Sequence, residues 1–195
     1  FLSQVQSTMG IEVLVIADLK PDNAIKACKN VGWSDDLINK TKFVDTGADA
    51  IKLNEVEVVI EATGFPAAGI EHARQAFQDG KHIIMVNVEA DVLAGAALAK
   101  EANSVGVVYS MAYGDQPALT AEIVEWARAS GFNVTSAGKG TRYQPIYHKS
   151  SPDTVWDYYG LTHEEARKAG MNPKMFNSFL DGTKSGLEMA AIANA

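Results

Sequence analysis

Several features are missing from this sequence, and each absence excludes a class of protein. The single cysteine, Cys28, excludes an internal disulfide. No apolar run approaches the ~20 residues that a membrane-spanning helix needs. A net charge of −7 without any basic run argues against nucleic acid as a partner. The sequence shown contains no secretory signal peptide, and we expect a cytoplasmic protein without a membrane partner.

What the sequence does contain is a series of short apolar runs, each ending at small and polar residues. Because they are rich in Val and Ile, they predict strands buried on both faces. The predicted strands are Ile11–Ala17, Val56–Ile60, His82–Val86, Val105–Ser110 and Asn133–Ser136.

Helices are predicted between these strands, several beginning at a proline and stopping at a glycine. Their ranges are Pro21–Val31, Pro66–Asp79, Val92–Asn103 and Pro117–Ser130. The alternation of strand and helix with short connections predicts an α/β fold with a doubly wound, Rossmann-like parallel sheet. Ligands of such folds bind at the carboxyl ends of the strands.

One part of a dinucleotide-binding domain is absent, namely the first strand with its G-x-G-x-x-G turn. The opening FLSQVQSTMG is interpreted as the back half of the helix after that turn, closed by Gly10. Asp18 then follows the second strand, where a carboxylate would bind the adenosine ribose, although it could be only a polar strand end. We therefore expect residues 1–140 to be a dinucleotide-binding domain within a fragment of a longer protein.

Composition changes after Gly140, where an aromatic, proline-containing stretch predicts a long loop. Helices are predicted over Thr162–Ala169, with Thr162 and Glu165 in capping-box spacing, over Pro173–Leu180, and from Asp181 to Ala195. Residues 141–195 are thus predicted to be a linker and the start of a substrate and dimerisation domain. We expect the full-length protein to be a homo-oligomer.

Lys139 lies between two glycines at the end of the last predicted strand. An ammonium there could polarise a carbonyl or hold a phosphate, or it could be a solvated loop lysine. Asp115 either caps the helix that follows it or has a catalytic or metal-binding role.

The final helix places Asp181, Lys184 and Glu188 at spacings of three and four, hence on one face. These residues could serve catalysis. Alternatively, Asp181 is a helix cap, and Lys184 and Glu188 form a surface ion pair.

Four motifs carry a resemblance to a known family. IIMVNVEADV, AYGDQP, SAGKG and NPKMFNSFLDGTKSGLEMAAIANA resemble the deoxyxylulose-phosphate reductoisomerase-like branch of the homoserine dehydrogenase superfamily. The resemblance covers most of the chain from Ile11 to Ala195. It implies conversion of 1-deoxyxylulose 5-phosphate to methylerythritol phosphate, a step of isoprenoid biosynthesis, with a reduced nicotinamide cofactor and a divalent cation.

The resemblance also implies roles for individual residues. It places the turn with Thr63 and Gly64 beside the cofactor, where a glycine lets the backbone approach a flat ring. Asn87 stands where homoserine dehydrogenases carry an A-N-K sequence near the nicotinamide, but Val88 replaces the lysine. Asp181, Glu188 and Asp115 become the candidate ligands of a divalent cation, Mg²⁺ or Mn²⁺.

The function expected is an oxidoreductase that uses NAD or NADP and acts on a small, phosphorylated carbonyl or polyol substrate. A simple dehydrogenase without rearrangement and a non-catalytic dinucleotide-binding module are the alternatives. The carboxylate of Asp18 would repel a 2′-phosphate and so favours NAD over NADP.

Overall fold

The computed structural model describes all residues, 1–195, and has α/β architecture. The strands are β1 (Val15–Ala17), β2 (Lys42–Val44), β3 (Val58–Glu61), β4 (His82–Met85) and β5 (Tyr109–Met111). The helices are α1 (Leu2–Val5), α2 (Pro21–Asn30), α3 (Asp35–Lys40), α4 (Gly47–Ile51), α5 (Pro66–Gln78), α6 (Val88–Ser104), α7 (Gln116–Ala129), α8 (Val155–Tyr159), α9 (His163–Lys168), α10 (Pro173–Leu180) and α11 (Thr183–Asn194). A 3₁₀ helix spans Pro145–Lys149.

The strands form two hydrogen-bonded sheets. β1 pairs in parallel with β2, with Val15 opposite Lys42. The second sheet has the order β3-β4-β5, and β3 runs parallel to β4 with Val58 opposite His82. Parallel neighbours need a crossover connection, which helices supply here. The expected α/β class with a Rossmann-like parallel arrangement is confirmed.

The chain divides into two compact units. The first unit comprises Phe1–Asn87 and Ala97–Ser110, and the second comprises Val88–Ala96 and Met111–Ala195. A cluster in the first unit contains Val5, Cys28, Trp33 and Ile38, and burial raises the pKa of the Cys28 thiol. A cluster in the second unit contains Val155, Trp156 and Ala166, and partly buried apolar residues pack against it: Leu161, Met171, Phe176 and Leu180.

Most predicted helices are confirmed to within a few residues. α2 and α5 begin at Pro21 and Pro66, because proline is already shaped for a first helical turn and needs no hydrogen-bond acceptor. α5 ends just before Gly80, whose φ of 68° is a left-handed conformation that glycine adopts without strain. α6 starts at Val88 rather than Val92, so Glu89 lies in its first turn.

The strand predictions were partly wrong. Asn133–Ser136 is not a strand, because residues 132–140 have no regular structure. Their backbone groups pair with no neighbouring strand, and a strand needs such pairing to satisfy its peptide groups. β2 was not predicted, since three residues within TKFVDTG are too few to show a pattern.

The expected long loop after Gly140 is also corrected. This stretch contains the 3₁₀ helix and α8, and Trp156 of α8 forms part of a core. The ring centroids of Trp156 and Phe176 are 5.4 Å apart. Local helix signals are weak in this segment because its short helices are stabilised by aromatic packing and not by propensity.

The opening segment is helical only over Leu2–Val5. It is held by the indole Nε1 of Trp33, which donates a hydrogen bond to the Leu2 carbonyl at 2.7 Å. None of the helices has the length and apolarity required to cross a membrane.

Candidate functional site

The first candidate region is the turn of residues 62–65, which follows β3 in the first unit. Gly64 has a φ of 68°, and Thr63 and Gly64 are exposed. The buried Asn87, just after β4, donates from Nδ2 to Thr63 Oγ1 at 3.3 Å and to the Phe65 carbonyl at 3.0 Å. Because parallel β3 and β4 end side by side, three residues proposed for cofactor binding lie together.

Glu61 was not predicted as a site residue, but its side chain binds the backbone of this turn. It is the last residue of β3, and its side chain is 1% exposed. Oε1 accepts a hydrogen bond from the Thr63 N–H at 3.2 Å and lies 3.3 Å from Nδ1 of His72. Burial raises the pKa of Glu61, but interactions with His72, Thr63 and the nearby Asn87 amide outweigh burial and hold this pKa below its usual value. An ionised carboxylate only accepts, so Nδ1 of His72 carries a proton.

Asp18 follows β1, at the carboxyl end of the other sheet. The residue is exposed, and Oδ1 accepts a hydrogen bond from the backbone N–H of Lys20 at 2.7 Å. The other carboxylate oxygen remains available for a ligand. An open groove beside it is lined by Leu19, Pro21 and Asp45, among others.

The second candidate region is a partly buried ion pair in the second unit. Lys139 Nζ donates to Glu188 Oε2 at 2.5 Å, with the lysine side chain 26% and the glutamate side chain 4% exposed. The prediction that Lys139 lies at the end of a strand is therefore wrong. Lys139 lies in an irregular segment, and its ammonium contacts α11 through Glu188. The alternative of a surface pair between Lys184 and Glu188 is wrong, because Glu188 is buried and pairs with Lys139.

The neighbouring candidates on α11 are arranged differently. Lys184 lies in the first turn of α11, is partly buried and forms no ion pair. Asp181 precedes the helix, and its Oδ1 accepts a hydrogen bond from the Thr183 N–H at 2.8 Å. Its Oδ2 accepts one from Nδ2 of Asn177 at 2.9 Å. Both oxygens of Asp181 thus serve the junction between α10 and α11.

Asp115 caps α7, accepting a hydrogen bond from the Gln116 N–H at 2.8 Å. A cation with oxygen ligands would need several carboxylates pointing to one position. The structure contains no group of three or more His, Cys, Asp or Glu residues that could hold a metal ion. Asp115, Asp181 and Glu188 are therefore not brought together as one such group.

Sequence reasoning missed Glu61, His72 and Asn177. Glu61 opens the EATG cluster, but a lone acid at a strand end carries no pattern. His72 packs so closely on Gly47 that a Cβ there would lie 2.3 Å from Nε2. Asn177 is buried in α10, and its Oδ1 has no hydrogen-bond partner. Only contacts between elements identify these residues.

The fold is that of a parallel α/β protein, in which the first region lies at the ends of strands and the second pairs an irregular segment with α11. Residues 114–195 match the family model described as "Oxidoreductase DRL, catalytic domain". The match covers less than half of the chain and includes Asp115, Lys139, Asp181, Lys184 and Glu188. This match supports the interpretation that the protein is an oxidoreductase. No curated protein matches the chain.

Proposed function

We propose that this protein is an NAD(P)-dependent oxidoreductase of the homoserine dehydrogenase-like superfamily. Its proposed substrate is a small, phosphorylated carbonyl or polyol compound. The observation that carries the proposal is the partly buried pair of Lys139 and Glu188, which lies inside the segment matching an oxidoreductase catalytic domain.

The nicotinamide cofactor would supply or accept the hydride. In the first unit, Asp18 is suited to bind the adenosine ribose through its available oxygen, which favours NAD. The exposed turn at Thr63 and Gly64 is suited to contact the nicotinamide end, because glycine leaves the backbone accessible there. Asn87 holds that turn through Thr63 Oγ1 and the Phe65 carbonyl.

In the proposed reaction, Lys139 stabilises the substrate oxygen as negative charge develops on it. A lysine ammonium has three donors, of which the structure uses one on Glu188. The 26% exposure of Lys139 leaves its other donors accessible to a substrate. Glu188, almost fully buried, limits the directions in which the ammonium of Lys139 can point.

Hydride transfer to a carbonyl without rearrangement needs only these groups and a proton for the substrate oxygen, which solvent water supplies. Reductoisomerisation is the second candidate, because the matched family is described as DRL and the four sequence motifs resemble that branch. The carboxylates proposed as cation ligands do not form a metal-binding group, and we derive no step through a cation.

The test is to titrate the intact protein with NADH and NADPH, following nicotinamide fluorescence, and then to assay turnover. Small phosphorylated aldehydes, ketones and polyols are the candidate substrates, each with and without Mg²⁺ or Mn²⁺. Turnover lost on Lys139→Ala and kept on Lys149→Ala, an exposed lysine outside the pair, would support the proposal. Cofactor binding without turnover would support a non-catalytic module, and no binding would overturn the proposal.

A further inference from the structure

Glu61 has one carboxylate oxygen that the fold does not use. Oε2 is buried and has no hydrogen-bond partner, whereas Oε1 contacts both Thr63 and His72. Leaving an acceptor of a charged group unsatisfied in a protein interior is costly. Such a group in a folded protein needs an explanation beyond stability, and function is a common one.

The location of Glu61 indicates what that function is. It is the last residue of β3, directly before the exposed turn at Thr63 and Gly64. Oε1 accepts from the Thr63 backbone N–H at 3.2 Å, so the carboxylate sets the direction in which the chain leaves the strand. Asn87 binds the other side of the same turn.

His72 connects Glu61 to the helix behind the turn. Nδ1 of His72, on α5, lies 3.3 Å from Oε1, and the imidazole fills the space next to Gly47 on α4. The position of the carboxylate is therefore determined from two directions, by the turn and by α5. Packing of this kind limits the movement of a side chain that must hold a binding turn.

We propose that Glu61 is a positioning residue for the dinucleotide, holding the turn at Thr63 and Gly64 in the shape that accepts the nicotinamide end. This inference rests on the proposed function. Without the carboxylate, the Thr63 N–H and His72 Nδ1–H lose their shared acceptor, and the turn relaxes. The adenosine end, which Asp18 is proposed to bind from another sheet, is not affected.

The experiment compares two probes, NADH and ADP-ribose, in the intact protein. ADP-ribose has the adenosine and both phosphates but no nicotinamide. Glu61→Met keeps the volume of the side chain and removes the acceptor, whereas Glu61→Gln keeps a neutral acceptor. Glu57→Met, at an exposed position just before β3, is the matched control.

We expect Glu61→Met to weaken NADH binding about tenfold while leaving ADP-ribose binding unchanged. Glu61→Gln should recover most of this loss, to within about threefold, because a neutral acceptor bonds less strongly than a carboxylate. Glu57→Met should bind both probes like the unaltered protein. If Glu61→Met does not fold, the same comparison is made with Glu61→Gln. Its NADH affinity should then fall by up to about threefold while its ADP-ribose affinity stays unchanged.

Equal loss of both probes would assign Glu61 a purely structural role and overturn the inference, as would unchanged NADH binding in Glu61→Met. These outcomes leave the proposed function intact. If the unaltered protein binds neither NADH nor NADPH, the proposed function and this inference both fail.

Discussion

The two candidate regions are built in different ways. In the first unit, the turn after β3 is held by hydrogen bonds to backbone groups, which Glu61 and Asn87 supply from the ends of adjacent strands. In the second unit, Lys139 and Glu188 are 49 residues apart and meet through their side chains, one from an irregular segment and one from α11. The first arrangement follows from parallel strand pairing. The second depends on how separate elements pack.

Removing Lys139 should have the largest effect, because it leaves Glu188 buried without its partner. We expect Lys139→Ala to lower turnover by about 100-fold or more and the free energy of unfolding by about 3 kcal/mol. Urea unfolding and steady-state kinetics measure the two effects.

The double variant Lys139→Met with Glu188→Gln separates these effects. It removes both charges, so stability should largely return while turnover stays low. Normal turnover in Lys139→Ala would contradict the role of the pair.

Asp18 tests the strand-end region at the adenosine end. We expect Asp18→Ala to weaken NAD binding by about tenfold, which corresponds to one charge-assisted hydrogen bond, and to weaken NADP binding less. Asp22→Ala, an exposed acid in the first turn of α2, should change neither affinity. An equal loss for both cofactors would remove Asp18 from the site.

The charge of Glu61 should make the stability of the strand-end region sensitive to acid. Burial raises its pKa, but interactions with His72, Thr63 and the nearby Asn87 amide outweigh burial, so the pKa in the folded protein is lowered. Its ionisation therefore adds stability that is complete above the unfolded pKa of about 4.3 and is lost as pH falls through the folded value. Urea unfolding between pH 7 and pH 3 should show a smaller decrease for Glu61→Gln than for the unaltered protein. Identical profiles would show that Glu61 does not titrate in this way.

Lys184 should have the smallest effect on stability. A lysine in the first turn opposes the helix dipole, so Lys184→Met should raise the free energy of unfolding by only about 0.3–1 kcal/mol or leave it unchanged. If Lys184 serves an anionic substrate, substrate KM should rise in the same variant. Lys174→Met, a first-turn lysine of α10 that is exposed, controls for the dipole effect. Unchanged KM would leave Lys184 without a role in binding.

Much of the fold could be predicted from local signals. Proline at a first helical turn located α2 and α5, and the capping box of Thr162 and Glu165 is present as expected. Apolar runs located β3 and β4 to within two residues at each end. The run at Asn133–Ser136 was misleading, because a strand requires hydrogen bonds to a partner and residues 132–140 form no regular structure.

The sequence by itself determined the α/β class, most helices, and the grouping of Thr63, Gly64 and Asn87, since parallel strands bring their carboxyl ends to one edge. Only the tertiary structure decided that Glu61 lies beneath that turn and that Glu188 pairs with Lys139 instead of Lys184. Side-chain pairing between distant segments depends on packing geometry, which neither periodicity nor spacing encodes. The burial of Glu188 then favours its pairing with Lys139, because a buried charge without an oppositely charged partner is energetically costly.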